Sequence, residues 1–277
     1  MMDKSTRVCL SFEKTGEESG SCIAWLTLNR PEMANAFDAD MIRQLRECFV
    51  QLQGYDSCRA LVIRGAGKHF CGGADLEWMK ASAQLTQEEN LEEARGLSAM
   101  FAALHKLPFP TIAVVHGAVY GGGVGLVACC DLAIADIDSR FCLSEVRLGI
   151  LPAVIYPYLS LKMRYGSLLR LSMTGRLFLA SEARDTGLIE LCCEKNSLET
   201  TLQDEIRGVL SAGPAALTRL KFLQHTIFAC SDDCHALACR LIAEARSGPE
   251  AQAGFQAFFK KQSPPWVVGP GRIPEES

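Results

Sequence analysis

The sequence has no long apolar run, no basic stripe and no metal-ligand spacing. Its most apolar stretch, residues 111–120, is interrupted by His116 and Gly117, well short of the roughly 20 residues a membrane helix needs. The formal net charge is −4, and the densest cationic spot is Lys260-Lys261, which argues against a nucleic-acid partner. The first eight residues carry no apolar segment behind their basic residues, so no secretory signal is expected there and a cytoplasmic location is. The 13 cysteines contain no C-x-x-C, and no histidine stands at zinc-finger spacing from a cysteine pair. They read as small buried hydrophobes kept as thiols. Cys71, in a glycine-rich loop, is the one to watch for reactivity. There is no G-x-x-x-x-G-K-[ST] and no G-x-S-x-G. Gly121-x-Gly123 lacks the third glycine of a dinucleotide fingerprint, because Leu126 stands there.

What is present is a 277-residue chain, 48% hydrophobic and 22% charged, which suits one globular domain or two small ones. Residues 8–12 and 23–28 are β-rich runs around a turn, so a hairpin is expected. Asp38 can cap a helix running to about Leu52, with Met41, Leu45 and Cys48 or Phe49 on one face. Ala60-Leu61-Val62-Ile63, residues 111–115 and Leu132-Ala133-Ile134-Ala135 read as buried strands. A helix over about residues 89–107 lies among them, and the alternation says α/β. The last third is helical. Leu198, Leu202, Ile206 and Leu210 step by four, Gly213-Pro214 starts a new helix, Ser231-Asp232-Asp233 can cap a third, and Pro249 opens a fourth ending near Lys261. The expected division is an α/β core over 1–195, a helical region over 196–266 and a loose tail over 267–277.

Two glycine-rich loops follow buried strands, Gly72-Gly73-Ala74-Asp75-Leu76 after Ile63 and Gly121-Gly122-Gly123 after Val115. Each opens a helix whose first N–H groups lack partners. Together they can hold one oxygen between two N–H donors, which suits negative charge developing on a carbonyl. Further on, Glu145 is a lone carboxylate in an apolar run. It either pairs with Arg147 on a surface turn or sits in an apolar pocket with its pKa raised for proton transfer.

These segments, in this order, resemble the crotonase superfamily, the enoyl-CoA hydratase/isomerase family. Asn29-Arg30-Pro31-Glu32-Met33-Ala34-Asn35-Ala36-Phe37 is similar to its N-R-P-x-x-x-N-A segment, and Gly73-Ala74-Asp75-Leu76 to its G-A-D-[LI] motif. Gly121-Gly122-Gly123 resembles its second glycine loop, and residues 254–261 its final helix. The likeness covers almost the whole chain. It implies a spiral of ββα units (the ClpP/crotonase-like fold) with a C-terminal helical trimerisation region, and a homotrimer or homohexamer. It also implies an acyl-CoA thioester substrate, with coenzyme A as part of that substrate and no metal or other cofactor. By the same likeness the N–H groups of Ala74 and Gly122 hold the thioester oxygen and Glu145 is the acid/base. Met33, Ala34, Ala36, Gly72, Ala74, Asp75, Leu76 and Lys261 would contact coenzyme A. Trp78, Gly125, Val154 and Tyr156 would line the acyl site, with Met79 and Ile155 as further candidates.

One departure stands out. Hydratases of the family carry a second glutamate two residues after the glycine triplet, where this chain has Gly125. The segments around Trp78-Met79 and 143–158 resemble the bacterial branch acting on 3-substituted glutaconyl-CoA, which implies hydration of a methylglutaconyl- or isohexenylglutaconyl-CoA. A single-glutamate isomerase and a catalytically silent acyl-CoA binder are the alternatives. Arg147, Lys80 and Lys162 are candidates to meet a distal substrate carboxylate.

Overall fold

A computed structural model describes residues 6–15, 20–82, 84–229 and 249–266. β1 (Val8–Lys14) and β2 (Cys22–Leu28) form the expected antiparallel hairpin, with Val8 opposite Leu28. Asp38 then starts α1 (Ala39–Gln53), its side chain accepting the Met41 N–H at 2.8 Å. Met41, Leu45, Phe49 and Leu52 recur at helical spacing and are buried. β3 (Cys58–Gly65), α2 (Leu76–Ser82), α3 (Gln87–His105), β4 (Thr111–Val115), β5 (Ala118–Tyr120) and α4 (Gly122–Cys129) follow. Next come β6 (Leu132–Asp136), β7 (Arg140–Cys142), α5 (Tyr156–Lys162), α6 (Tyr165–Thr174), β8 (Leu177–Leu179), α7 (Ala180–Thr186) and β9 (Leu191–Cys193). The described remainder is helical: α8 (Leu198–Ser211), α9 (Pro214–Ala229) and α10 (Pro249–Phe259).

Six strands make one sheet in the order β1-β2-β3-β4-β6-β9, parallel from β2 onward. Because side chains alternate across a strand, each strand feeds two cores. Leu26, Leu61, Ile63, Ala113 and Val115 face the main core, with α1, α3 and α4. Ile23, Trp25, Val62, Ile112, Val114 and Ile134 face the other way, against Leu202 and Ile206 of α8. Helices on both faces explain why these strands read as unbroken apolar runs. A second sheet, β5-β7-β8, is smaller. The result is a mixed α/β fold with C-terminal helices, as the resemblance implied.

Side chains of the core tie the helical region down. Buried Arg59 donates to the carbonyls of Ala212 at 2.8 Å, Leu210 at 3.3 Å and Trp266 at 3.4 Å. Lys221 of α9 pairs with Asp131 at 2.6 Å and donates to the Phe109 carbonyl at 2.9 Å. Leu198, Leu202, Ile206 and Leu210 form one helix as their spacing requires, and Leu202 and Ile206 are its buried pair. The helix expected from residue 231 and the tail 267–277 lie outside the described residues. Among the described residues no helix is long and apolar enough to cross a membrane. All ten cysteines described are free thiols. Cys71 is fully buried, and burial pushes its thiol up to about 12, so the reactivity considered for it is not supported.

Candidate active site

Backbone pairing brings the two glycine loops side by side. Cys71 donates to the Ala118 carbonyl at 3.1 Å, and Tyr120 donates back to the Cys71 carbonyl at 3.0 Å. Gly73 has φ +96°, and a Cβ there would lie 3.3 Å from the Tyr120 carbonyl oxygen; the close approach and the left-handed backbone both call for glycine. On the other side, Phe37 donates to the Gly73 carbonyl at 2.7 Å and accepts from the Asp75 N–H at 2.8 Å. Ala74 sits between those two bonds, so its own N–H turns away from Phe37. Among the described residues no hydrogen bond forms at the Ala74 N–H, and the residue is exposed.

Gly122 is the first residue of α4, and its N–H likewise makes no hydrogen bond among the described residues. The Phe37 ring lies against it, with Cε2 2.7 Å from where a Gly122 Cβ would stand. Phe37 thus touches both loops, by backbone at Ala74 and by ring at Gly122. Sequence reasoning gave Phe37 no role, although it ends the quoted N-terminal motif.

Glu145 opens a 3₁₀ turn over residues 145–148. Its Oε1 lies 3.2 Å from the position of a Cβ on Gly121, the residue before Gly122. Its Oε2 is buried and makes no hydrogen bond among the described residues. Burial raises the pKa of this carboxyl. Arg147 does not pair with it; that side chain is exposed and donates through Nε to the Thr174 carbonyl at 3.4 Å. Of the two readings open for Glu145, the structure selects the buried carboxyl beside the glycine loop.

Other polar residues of the motifs form a brace. Arg30 Nη1 reaches Asp75 at 2.7 Å and Asp38 at 3.2 Å. Asp75 Oδ1 accepts the N–H groups of Glu77 at 2.8 Å and Trp78 at 3.1 Å, capping α2. Burial would raise the Asp75 carboxyl, but the Trp78 N–H, Arg30 and the Glu77 N–H outweigh it and hold it below the usual range. Ala34 and Asn35 both have left-handed backbone, φ 53° and 55°, which non-glycine residues adopt at a cost. Asn35 holds that turn by donating to the carbonyls of His69 at 2.8 Å and Ala66 at 2.9 Å. Gly72 donates to the Ala34 carbonyl at 2.7 Å.

The remaining residues singled out from the sequence are dispersed. Met33 and Leu76 are exposed, Ala36 is buried, and Lys261 is exposed just past α10. Trp78, Val154 and Tyr156 are half-buried at the edge of the main core. Gly125 does not border open space. A Cβ there would collide with Ile155 Cγ2 and lie 2.9 Å from Phe101 Cζ, so a side chain at this position would meet Ile155 and Phe101 of the packed core. Of the cations considered for a distal substrate carboxylate, Lys80 pairs with Glu77 at 2.6 Å and Lys162 with Glu190 at 3.2 Å, while Arg147 meets no carboxylate among the described residues.

Comparison with known proteins fits this architecture. Residues 18–268 match the family described as enoyl-CoA hydratase/isomerase, and the chain belongs to that family. It is 32% identical over 237 residues to the enoyl-CoA hydratase ACTT6 of Alternaria alternata, covering 84% of this chain and 77% of that one. It is 28% identical over 230 residues to the peroxisomal Delta(3,5)-Delta(2,4)-dienoyl-CoA isomerase of Arabidopsis thaliana, covering 76% and 80%. A crystal structure of an enoyl-CoA hydratase from Shewanella pealeana superposes with a TM-score of 0.88 at 33% identity, over 95% of this chain and 97% of the other.

Proposed function

We propose that this enzyme adds water across the double bond of a 3-substituted glutaconyl-CoA. The observation that carries the acid/base assignment is the buried, unpartnered Oε2 of Glu145 beside Gly121. In this reading the thioester oxygen rests between the N–H groups of Ala74 and Gly122. The Glu145 carboxylate takes a proton from water as the oxygen of that water bonds to the β-carbon. The π electrons move onto the thioester oxygen as an enolate, which the two amides stabilise. Glu145 then returns the proton to the α-carbon, so one carboxyl group completes the cycle and atoms balance. Glu145 acts best near its own pKa, and burial moves that pKa toward neutrality. The glutaconyl assignment rests on the likeness of the segments around Trp78-Met79 and 143–158.

A second reading is an isomerase, in which Glu145 moves one proton between carbons and no water is added. The presence of a single carboxyl at the glycine loop and the likeness to a dienoyl-CoA isomerase favour it. Incubation with methylglutaconyl-, isohexenylglutaconyl- and crotonyl-CoA, followed by mass spectrometry, separates the two. Hydration adds the mass of one water; isomerisation leaves the mass unchanged. Turnover of crotonyl-CoA alone overturns the glutaconyl assignment.

A further inference from the structure

The helix that follows the Ala74 amide, α2, is weakly supported. It has seven residues and buries none of them, and a helix that short has little stability of its own. Leu76 is 69% exposed. Its ion pair, Lys80 with Glu77, lies within the helix and ties it to nothing else. At its N-terminus the cap from Asp75 holds it. Further along, one carboxylate does. Glu93, on α3, accepts the Trp78 Nε1–H at 3.1 Å through Oε1 and the Ser82 Oγ–H at 2.6 Å through Oε2. Trp78 and Glu93 also line a cavity of about 600 Å³ between α1 and α3, together with Ile42, Val50 and Gly96. Helix α2 therefore touches the main core through the half-buried Trp78 and otherwise borders a hollow. Charge-assisted hydrogen bonds such as these are about twice as strong as neutral ones.

We propose that Glu93 is a positioning residue: by gripping Trp78 and Ser82 with the two oxygens of one carboxylate, it fixes α2 and, through it, the Ala74 amide. Trp78 is one helical turn beyond Ala74, and its N–H shares the Asp75 cap with Glu77. A displacement of the helix by an ångström at Trp78 is thus carried to the oxyanion donor. Misplacement on that scale costs up to about a hundredfold in rate. The effect falls on kcat, because a donor to the thioester oxygen matters most when charge has built up there.

The inference rests on Ala74 as an oxyanion donor, so the test reads the helix and the chemistry separately. Amide hydrogen exchange over residues 76–82 is compared in the wild type, Glu93→Ala, Glu93→Gln, Ser82→Ala and the double variant of Glu93→Ala with Ser82→Ala. Turnover of the best enoyl-CoA of the panel is followed beside equilibrium binding of butanoyl-CoA, which cannot react. In Glu93→Ala exchange rises in α2 alone and kcat falls about 10- to 100-fold. KM and the butanoyl-CoA Kd stay within about threefold. Glu93→Gln stays within about threefold of wild type in kcat, because its amide still accepts from Trp78 and donates to Ser82. Ser82→Ala causes no further loss once Glu93 is replaced by alanine. Unchanged exchange in Glu93→Ala overturns the latch. Faster exchange with kcat intact overturns the link to Ala74. If no ester of the panel turns over, the proposed reaction falls, and exchange alone decides the latch.

Discussion

Two neighbouring parts of the site treat their polar groups in opposite ways. Around the reacting centre, the Ala74 and Gly122 N–H groups and the Glu145 Oε2 stand without partners among the described residues. Within about a turn of backbone, Arg30, Asn35, Asp38 and Asp75 are turned on one another and on nearby backbone. A buried acceptor left unpaired costs about 1–3 kcal/mol, which folding alone would not retain. The brace supplies the opposite: it fixes the loops so that the unpaired groups keep their direction. In this site the Glu145 carboxyl has no ion pair among the described residues, whereas the Asp38 and Asp75 carboxylates share Arg30. An unmade hydrogen bond alone is not the mark, since Arg30 Nε, Trp25 Nε1 and Ser172 Oγ are also buried without one.

The comparison breaks first, and most visibly, at Glu145. Glu145→Gln is expected to lower kcat by about two to four orders of magnitude and leave acyl-CoA binding nearly unchanged. Steady-state kinetics beside butanoyl-CoA titration measures both, and a rate within tenfold of wild type would remove Glu145 from the chemistry. The brace should fail in another way. Asp75→Ala uncaps α2 and leaves the Arg30 guanidinium with Asp38 and the Ala36 carbonyl as partners, at a cost of about 3 kcal/mol in stability. Denaturant midpoints read that loss. Asp75→Asn keeps an acceptor for the Glu77 and Trp78 N–H groups and should recover about 1 kcal/mol of it. If both substitutions left stability unchanged, Asp75 would not be a support of this site.

The long elements were legible because they are periodic. Met41, Leu45, Phe49 and Leu52 mark α1, and Leu198, Leu202, Ile206 and Leu210 mark α8. The region between residues 137 and 190 was not. β7 and β8 have three residues each, too few to show alternation. In α6 the apolar residues Tyr165 and Met173 are exposed at 78% and 68%, so hydrophobicity misreports which face is buried. At the site, the glycine loops could be found because glycine at a close approach is a local requirement. The state of Glu145 could not, since nothing in its segment says that Arg147 turns to the Thr174 carbonyl. The bracing role of Asp75 could not be read locally for a related reason: the charge its side chain meets, Arg30, lies 45 positions earlier in the chain. Glu93 gave no signal, being one carboxylate in an acidic helix start.

Gly125 sharpens the contrast on its apolar side. Its missing side chain makes room for Ile155 and Phe101, so the position of a second carboxylate is filled with hydrocarbon. Gly125→Ala should cost about 1–3 kcal/mol by overpacking. Pairing it with Ile155→Ala should return part of that loss, so a double-mutant cycle by chemical denaturation would give a favourable coupling. Strict additivity would mean that Ile155 does not occupy that space. Gly125→Glu should fail to create hydratase activity of the two-carboxylate kind unless Ile155 is also cut back.

The smallest effect expected is on stability, and its sign distinguishes a functional carboxyl from a supporting one. Because burial raises the folded-state pKa of Glu145, the folded protein holds this proton more tightly than the unfolded chain does. Between the ordinary glutamate pKa and the raised one, the unfolded state binds fewer protons, so stability falls as pH rises through that window. A glutamine side chain has no such proton to lose. Glu145→Gln should therefore match the wild type at pH values below the window and exceed it above, with the gap in Tm opening as pH rises past the ordinary glutamate pKa. Asp75, whose carboxyl is held below its usual range, has the opposite sign: Asp75→Asn should lose most relative to wild type at neutral pH and least in acid. A Glu145→Gln protein no more stable than wild type at pH 8 would mean that the carboxylate is solvated or paired in solution. The contrast between the two parts of the site would then disappear.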